Sequence, residues 1–247
     1  MRRGIALNAR MQLDELVHIP AFTVPTLGLP LVTYLIFGLP AVHGRAPAAD
    51  GILVGFAAFA VLGIVMFQFG VGIAAERASA WERFVRTLPA SASQRFTARL
   101  LVALLFTLAS LVPVCVAASA ASPIDLDSSA WLRVVVSLLG GSVPLGLLGI
   151  MLGYLLNERG ALPITNLLYL PLSYAGGLFS TRAQDLPHAV AVISPWLPTR
   201  QWGDVVTDYG LHDRFPAHQA LALLGYGVLF GLVAIWAYRR EEIREYR

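Results

Sequence analysis

The chain has 247 residues, 57% of them hydrophobic and 13% charged, and its mean hydropathy is +0.67. A water-soluble domain carries roughly 25% charged residues, so this composition excludes a fold surrounded by water and makes the bilayer part of the solvent. A formal charge of +3 does not point to nucleic acid.

Residues 2–18 mix Arg3, Arg10, Asp14 and Glu15 with Ile5, Ala9, Leu13, Leu16 and Val17 at near-helical spacing. The segment is too polar to cross a membrane. It reads either as a helix lying in the interface or as a frayed terminal helix. Arg2 and Arg3 are followed by mixed polar residues, unlike a cleavable signal. The first apolar stretch, 21–39, holds Pro25 and Pro30, which a helix tolerates where neighbouring helices satisfy the freed carbonyls. Further stretches follow at 51–75, 100–120, 132–156, 162–179 and 217–238. At about 20 apolar residues per crossing, these predict six transmembrane helices in an all-α membrane protein. The short connections leave no room for a separate soluble domain, so residues 1–247 read as one transmembrane domain. The lone Cys115 lies in the third stretch and has no partner for an intrachain disulfide.

Charge sets the expected orientation. Lys is absent, so the 18 cations are all Arg. With the amino terminus in the cytoplasm, thirteen of the eighteen fall on the cytoplasmic side: Arg2, Arg3, Arg10, Arg77, Arg83, Arg86, Arg95, Arg99, Arg159, Arg239, Arg240, Arg244 and Arg247. The positive-inside rule then places both termini in the cytoplasm.

The middles of the six stretches contain no Asp, Glu, Arg or His. Ion-coupled carriers place ionisable groups at membrane depth, and an intramembrane enzyme needs a nucleophile–base pair or a ligand cluster. Neither catalytic residues nor a metal site is expected. His212 and His218 lie near each other in sequence without the Cys or carboxylate companions that would complete a zinc site.

The connection after the second stretch, 76–98, begins with Glu76 and Arg77. Trp81, Phe84, Val85 and Leu88 follow an i, i+3, i+4, i+7 pattern beside Glu82, Arg83 and Arg86, and Pro89 stops the helix. Such a helix either docks in a groove of a soluble partner or rests on lipid headgroups. Between the fifth and sixth stretches, residues 186–194 are apolar but too few to cross, Pro195 and Pro198 force a break, and Trp196 and Trp202 suit the membrane interface. A re-entrant or interfacial helical hairpin over 180–216 fits, an ordinary loop being the alternative. Gly140, Gly141, Gly146, Gly149 and Gly153 have the spacing that permits close helix contact, or else lend local flexibility.

These features in this order resemble the membrane permease subunit of ABC-2 type transporters. Glu76-Arg77, Ser79-Ala80-Trp81-Glu82 and Thr87-Leu88-Pro89 stand where that family has an ERE, a GTLE-like stretch and a TP or LP step. Ser79-Ala80 departs from its usual Gly-Thr. Pro171-Leu172-Ser173, Gly177-Leu178-Phe179, Leu186-Pro187 and Ser194-Pro195-Trp196-Leu197-Pro198 match its fifth-span and outer-hairpin pattern. The resemblance implies a bacterial inner-membrane exporter permease that is not itself an enzyme. Its partners would be an ATP-binding cassette ATPase subunit, which binds the ATP and Mg, a second permease copy or paralogue, and membrane lipid. It further implies an elbow helix at 1–20 and a coupling helix at 76–89. Glu76, Arg77, Trp81, Glu82, Phe84, Val85, Thr87 and Pro89 would meet the ATPase. Tyr169, Tyr174, Gly176, Gly177 and Phe179 would line the pore or its outer gate. Amphipathic drugs, antibiotics or lipids are the favoured cargo. Glycans are the alternative, with Tyr154, Tyr169, Tyr174, Phe179 and Tyr226 as a candidate aromatic row, and a non-ABC carrier or sensor ranks below both.

Overall fold

The structure, a computed structural model, describes residue 10 and residues 28–42, 46–79, 92–179 and 186–245. Among these no strand occurs. The 1–20 segment, Arg10 excepted, and residues 80–89 of the expected coupling helix lie outside the described residues.

Helix α1, Gly28–Ala41, widens to π geometry over Tyr34–Gly38. Helix α2 runs without a break through Ala46–Val65, a π segment Met66–Val71, and Gly72–Ala78. Its middle is apolar on every side, which suits both a lipid-facing span and a helix enclosed by others. The packing decides: 89% of its most apolar stretch is enclosed by the rest of the chain, against 28% for the last helix. Helices α3 (Ala92–Ala121) and α4 (Ser128–Leu155) follow. The Asp127 carboxylate caps α4 by accepting from the Ala130 N–H at 2.7 Å. Asn157 caps α5, Glu158–Ala175, in the same way through Gly160 at 2.7 Å.

α5 shows the inverse of soluble amphipathicity. Its buried residues, Ala161, Thr165, Tyr169 and Ser173, recur every fourth position, while Leu167 and Leu170 face outward. An inward polar stripe and an outward leucine face suit a helix whose surroundings are hydrocarbon.

In the stretch expected to form a helical hairpin come α6 (His188–Ile193), a 3-10 turn (Ser194–Trp196), and α7 (Pro198–His212). Pro198 opens α7 at a position where its missing N–H costs nothing. Asp213, in the left-handed region at φ 56°, ends it. Helix α8 is Ala217–Glu245.

Among the described residues, four helices are long and apolar enough to cross a membrane: Ala48–Ala78, Leu101–Ala121, Ser128–Leu155 and Ala217–Glu241. They coincide with the second, third, fourth and sixth expected spans. Gly28–Ala41 is the described part of the first. The expected fifth span corresponds to α5, whose 18 residues include Glu158, Arg159 and Asn166 and fall short of that apolarity.

Candidate functional site

The predicted site residues divide into two groups. At the end where α2 stops, Arg77 points inward. Its Nε donates to Glu241 Oε1 at 2.7 Å, and its Nη2 lies 2.7 Å from the same oxygen. Nη1 donates to the carbonyls of Gly153 at 2.6 Å and Leu156 at 3.3 Å. The guanidinium carbon stands 5.4 Å from the centre of the Tyr154 ring, which meets Tyr238 edge-on at 5.5 Å. Arg77 thus occupies the carbonyl end of α4, where the helix dipole favours a cation, and joins it to α8. Its side chain is only 20% exposed and that of Glu241 only 23%, so water screens the pair weakly. One residue further on, α2 closes: both the N–H and the hydroxyl of Ser79 donate to the Glu76 carbonyl, at 3.0 and 2.8 Å. Glu76 occupies the last turn of α2. Trp81, Glu82, Phe84, Val85, Thr87 and Pro89 lie outside the described residues.

Away from that end, against the middle of α2, Tyr169 and Phe179 enter an aromatic cluster. The Tyr169 ring stacks on Phe59 at 4.7 Å, and its hydroxyl donates to the Phe59 carbonyl at 3.0 Å. Phe179 lies 4.8 Å from Phe59 and 5.5 Å from Phe56. Tyr174 is exposed instead. Gly176 is required by space: a Cβ there would strike Thr199 and the Leu172 carbonyl. Gly177 is required by conformation, at φ +76°. The aromatic row does not form, because Tyr154 sits at the far end under Arg77 while Tyr226 donates its hydroxyl to the Trp196 carbonyl.

The hairpin is docked into the bundle. Ser194 Oγ donates to the Ala175 carbonyl and Thr199 Oγ1 to that of Leu172 at 2.7 Å. Trp202 is not at an interface, as its residue type suggested. It is fully buried, its Nε1 donates to the Ser137 carbonyl at 3.2 Å, and its ring fills the space above Gly141. Gly141 lies halfway along the 28-residue α4, so the hairpin tip reaches well down that helix.

The other glycines of α4 act mostly as a seam with α2. A Cβ on Gly149 would stand 2.6 Å from the Val65 carbonyl, and one on Gly153 2.6 Å from that of Phe69. Gly146 approaches Phe69 less tightly, at 3.4 Å, and Gly140 meets nothing within 4 Å.

Between α2, the Gly176–Leu178 turn and α7 lies a cavity of about 200 Å³, lined by Gly55, Gly177, Arg200, Asp204, Thr207 and Asp208. Arg200 pairs with Asp204 at 3.0 Å. Burial nonetheless raises the Asp204 carboxyl above its ordinary range, with the charge on Asp208 adding to the effect and Arg200 opposing it. An open basin of about 490 Å³ lies beyond, lined by Asp50, Asp125, Asp127, Arg133 and His212 among others. His212 Nδ1 stands 3.9 Å from Asp208. Among the described residues no three His, Cys, Asp or Glu side chains gather to hold a metal ion.

Glu241, Ser137 and Tyr238 are contacts that spacing alone does not single out. Glu241 is 164 positions from Arg77, and only the fold brings them together. The one sequence hint is that each is an acid or base placed just beyond an apolar run.

Several apolar helices of membrane-crossing length, packed through glycines and with charge confined to their ends, define a multi-pass helical membrane protein. The family described as "ABC-2 family transporter protein" matches residues 5–238, and the chain belongs to it. It is similar to "Putative transport permease YvfS" of Bacillus subtilis (strain 168), at 23% identity over 190 residues covering 77% of each chain. No solved structure matches.

Proposed function

We propose that this chain is the permease subunit of an ATP-driven exporter in the bacterial inner membrane. It crosses six times, both termini are cytoplasmic, and the α6–α7 hairpin re-enters from the outer face. A pair of such permeases, identical or paralogous, works with ATP-binding cassette subunits that bind the ATP and Mg. Amphipathic molecules (drugs, antibiotics or lipids) are the cargo. The coupling helix that meets the ATPase lies within the expected 76–89 segment, beyond the end of α2 at Ala78, with Trp81 and Phe84 as its apolar anchors and Glu82, Val85, Thr87 and Pro89 completing it.

The observation that carries this reading is electrical. From Gly51 to Ala75 in α2, Leu101 to Ala121 in α3 and Val134 to Leu155 in α4, no charged side chain occurs. These three walls offer no group on which a proton or sodium gradient can act, and Arg200 and Asp204 on α7 are paired with each other, which favours work delivered mechanically from one end. Family membership supplies the prior that a separate ATPase delivers it. The hairpin's docking against the middle of α4 supports re-entry, since it sets α7 beside residues at hydrocarbon depth.

Affinity purification of the intact permease tests the proposal. An ATPase subunit in stoichiometric amount is expected, and Trp81→Asp with Phe84→Asp is expected to abolish its recovery. Persistence of the complex in that double variant removes the coupling-helix assignment. Gradient-driven transport by the chain without nucleotide removes the exporter reading.

A further inference from the structure

From the geometry around Arg77 we infer that this residue is a positioning residue inside the permease rather than a contact for the ATPase. Its guanidinium locks the exit of α2 to the carbonyl end of α4 and to Glu241 of α8, so that a push on the segment after Ser79 moves three helices as one body. The inference rests on the exporter reading for the source of the push. The lock itself stands on this chain alone.

The last turn of a helix frays, because its final carbonyls have no partner within the helix. A force applied just beyond a frayed turn unwinds that turn instead of moving the helix. Here the turn is held at both of its loose ends. Ser79 ties back to the Glu76 carbonyl twice. Arg77 satisfies carbonyls at the end of the neighbouring α4, its Nη1 serving Gly153 and Leu156.

The remaining donors of Arg77, Nε and Nη2, go to Glu241. The face of the guanidinium is covered by Tyr154, and Tyr238 from α8 closes on Tyr154 from the side. The planar fork of Arg is the one side chain that serves two carbonyls and a carboxylate while stacking on a ring. Lys has a point charge on a flexible stem and reproduces the ion pair but not the fork. With its fork directed inward and its side chain mostly buried, Arg77 has little left to offer a soluble partner. The side chains expected at this end are therefore split in role: Arg77 faces the bundle, while Trp81 and Phe84 are left for the ATPase.

The test uses full-length permease in nanodiscs, with Cys115→Ala and spin labels on Ala78→Cys and Arg239→Cys. Both labelled positions are exposed and flank the lock. The lock predicts a single narrow distance distribution. Arg77→Gln is expected to broaden it, Glu241→Gln to do the same, and the R77Q/E241Q pair to broaden it no further than either alone, because the two act as a unit. Arg77→Lys is expected to recover part of the narrowing. An unchanged distribution in Arg77→Gln overturns the inference, as does additive broadening in the pair.

A second arm adds ATP and vanadate to the co-purified complex with its ATPase. The labelled distance is expected to stay constant in the parent and to change in Arg77→Gln, where α2 moves alone. A distance that changes equally in both also overturns the inference. If no ATPase co-purifies, the exporter reading fails while the first arm still decides whether the lock exists.

Discussion

Gly140 and Gly141 are neighbours in sequence with opposite surroundings, and alanine at each should act in opposite directions. A Cβ at Gly141 falls within the ring of Trp202, whereas one at Gly140 meets nothing within 4 Å. Trp202 is fully enclosed and bonded to the Ser137 carbonyl, so its ring has no free volume to retreat into. Overpacking of this kind costs about 1–3 kcal/mol. Losing the indole hydrogen bond adds about 0.6 kcal/mol, the average for such bonds inside membranes. Gly141→Ala should therefore destabilise by roughly 2–4 kcal/mol, which in a chain of this size lowers the midpoint by on the order of 5–15 °C. Gly140→Ala should be neutral or gain up to about 1 kcal/mol, since alanine is the better helix former. The assay is thermal unfolding in bicelles, followed by tryptophan emission. In a Trp202→Ala background the cost of Gly141→Ala should largely vanish, because the clash has lost one partner. If the two alanine variants melt together, or if the cost of Gly141→Ala survives removal of the indole, the docking of α7 against α4 is wrong.

Gly149→Ala should cost more than a typical core substitution, about 3 kcal/mol, because the atom it meets is the Val65 backbone carbonyl, which cannot rotate away as a side chain can. A fall in monodisperse recovery on size exclusion would register it, and wild-type recovery would refute the α2–α4 seam. Asp204 gives a pH signature. Burial raises its folded value above its unfolded one, so the folded chain holds that proton more tightly. The stability it contributes is present at low pH and is lost as pH rises through the raised value. Asp204→Asn should flatten that part of the pH–stability curve, measured as melting midpoints across the carboxylate range; an unchanged slope would refute the assignment.

How much of this was legible in the sequence depends on the range of the interaction involved. The run from Gly51 to Ala75 announces a span because an all-round apolar surface suits hydrocarbon, and α2 is that helix; that it is the enclosed one has no mark in its sequence, since lipid and protein neighbours are equally apolar. Pro195 and Pro198 announce a break between two helices, and the turn falls there. The π segments at Tyr34–Gly38 and Met66–Val71 have no such mark, since they are built from residues equally at home in an α-helix. Trp202 misled for a physical reason: an amphipathic ring suits both the membrane interface and a buried slot with one carbonyl. Only the identity of its neighbour, Gly141, distinguishes the two. The stretch expected as the fifth span was legible as a helix, but that helix, α5, falls short of the apolarity of the four candidate spans. Its polar positions at 165 and 173 are turned inward, which a count of hydrophobic residues cannot register.

The same physics explains why α4 is the frame of the molecule. Lipid tails are as apolar as leucine, so helices in a bilayer gain nothing by hiding leucines from it. The exposed Leu221, Leu224 and Leu232 of α8 cost nothing there. Cohesion has to come from close backbone approach and from hydrogen bonds, and α4 collects both along its length. Its middle takes the Trp202 ring over Gly141, its lower half takes the α2 backbone at Gly149 and Gly153, and its last carbonyls take Arg77. The hairpin and the exit of α2 are therefore fastened to opposite parts of one helix. A displacement of α2 at Arg77 that does not break these contacts has to carry α4 with it, and a displacement of α4 has to carry Trp202. Mechanical connection between the two ends of the bundle thus needs no charged relay through its interior, only a helix with glycines where its neighbours press closest.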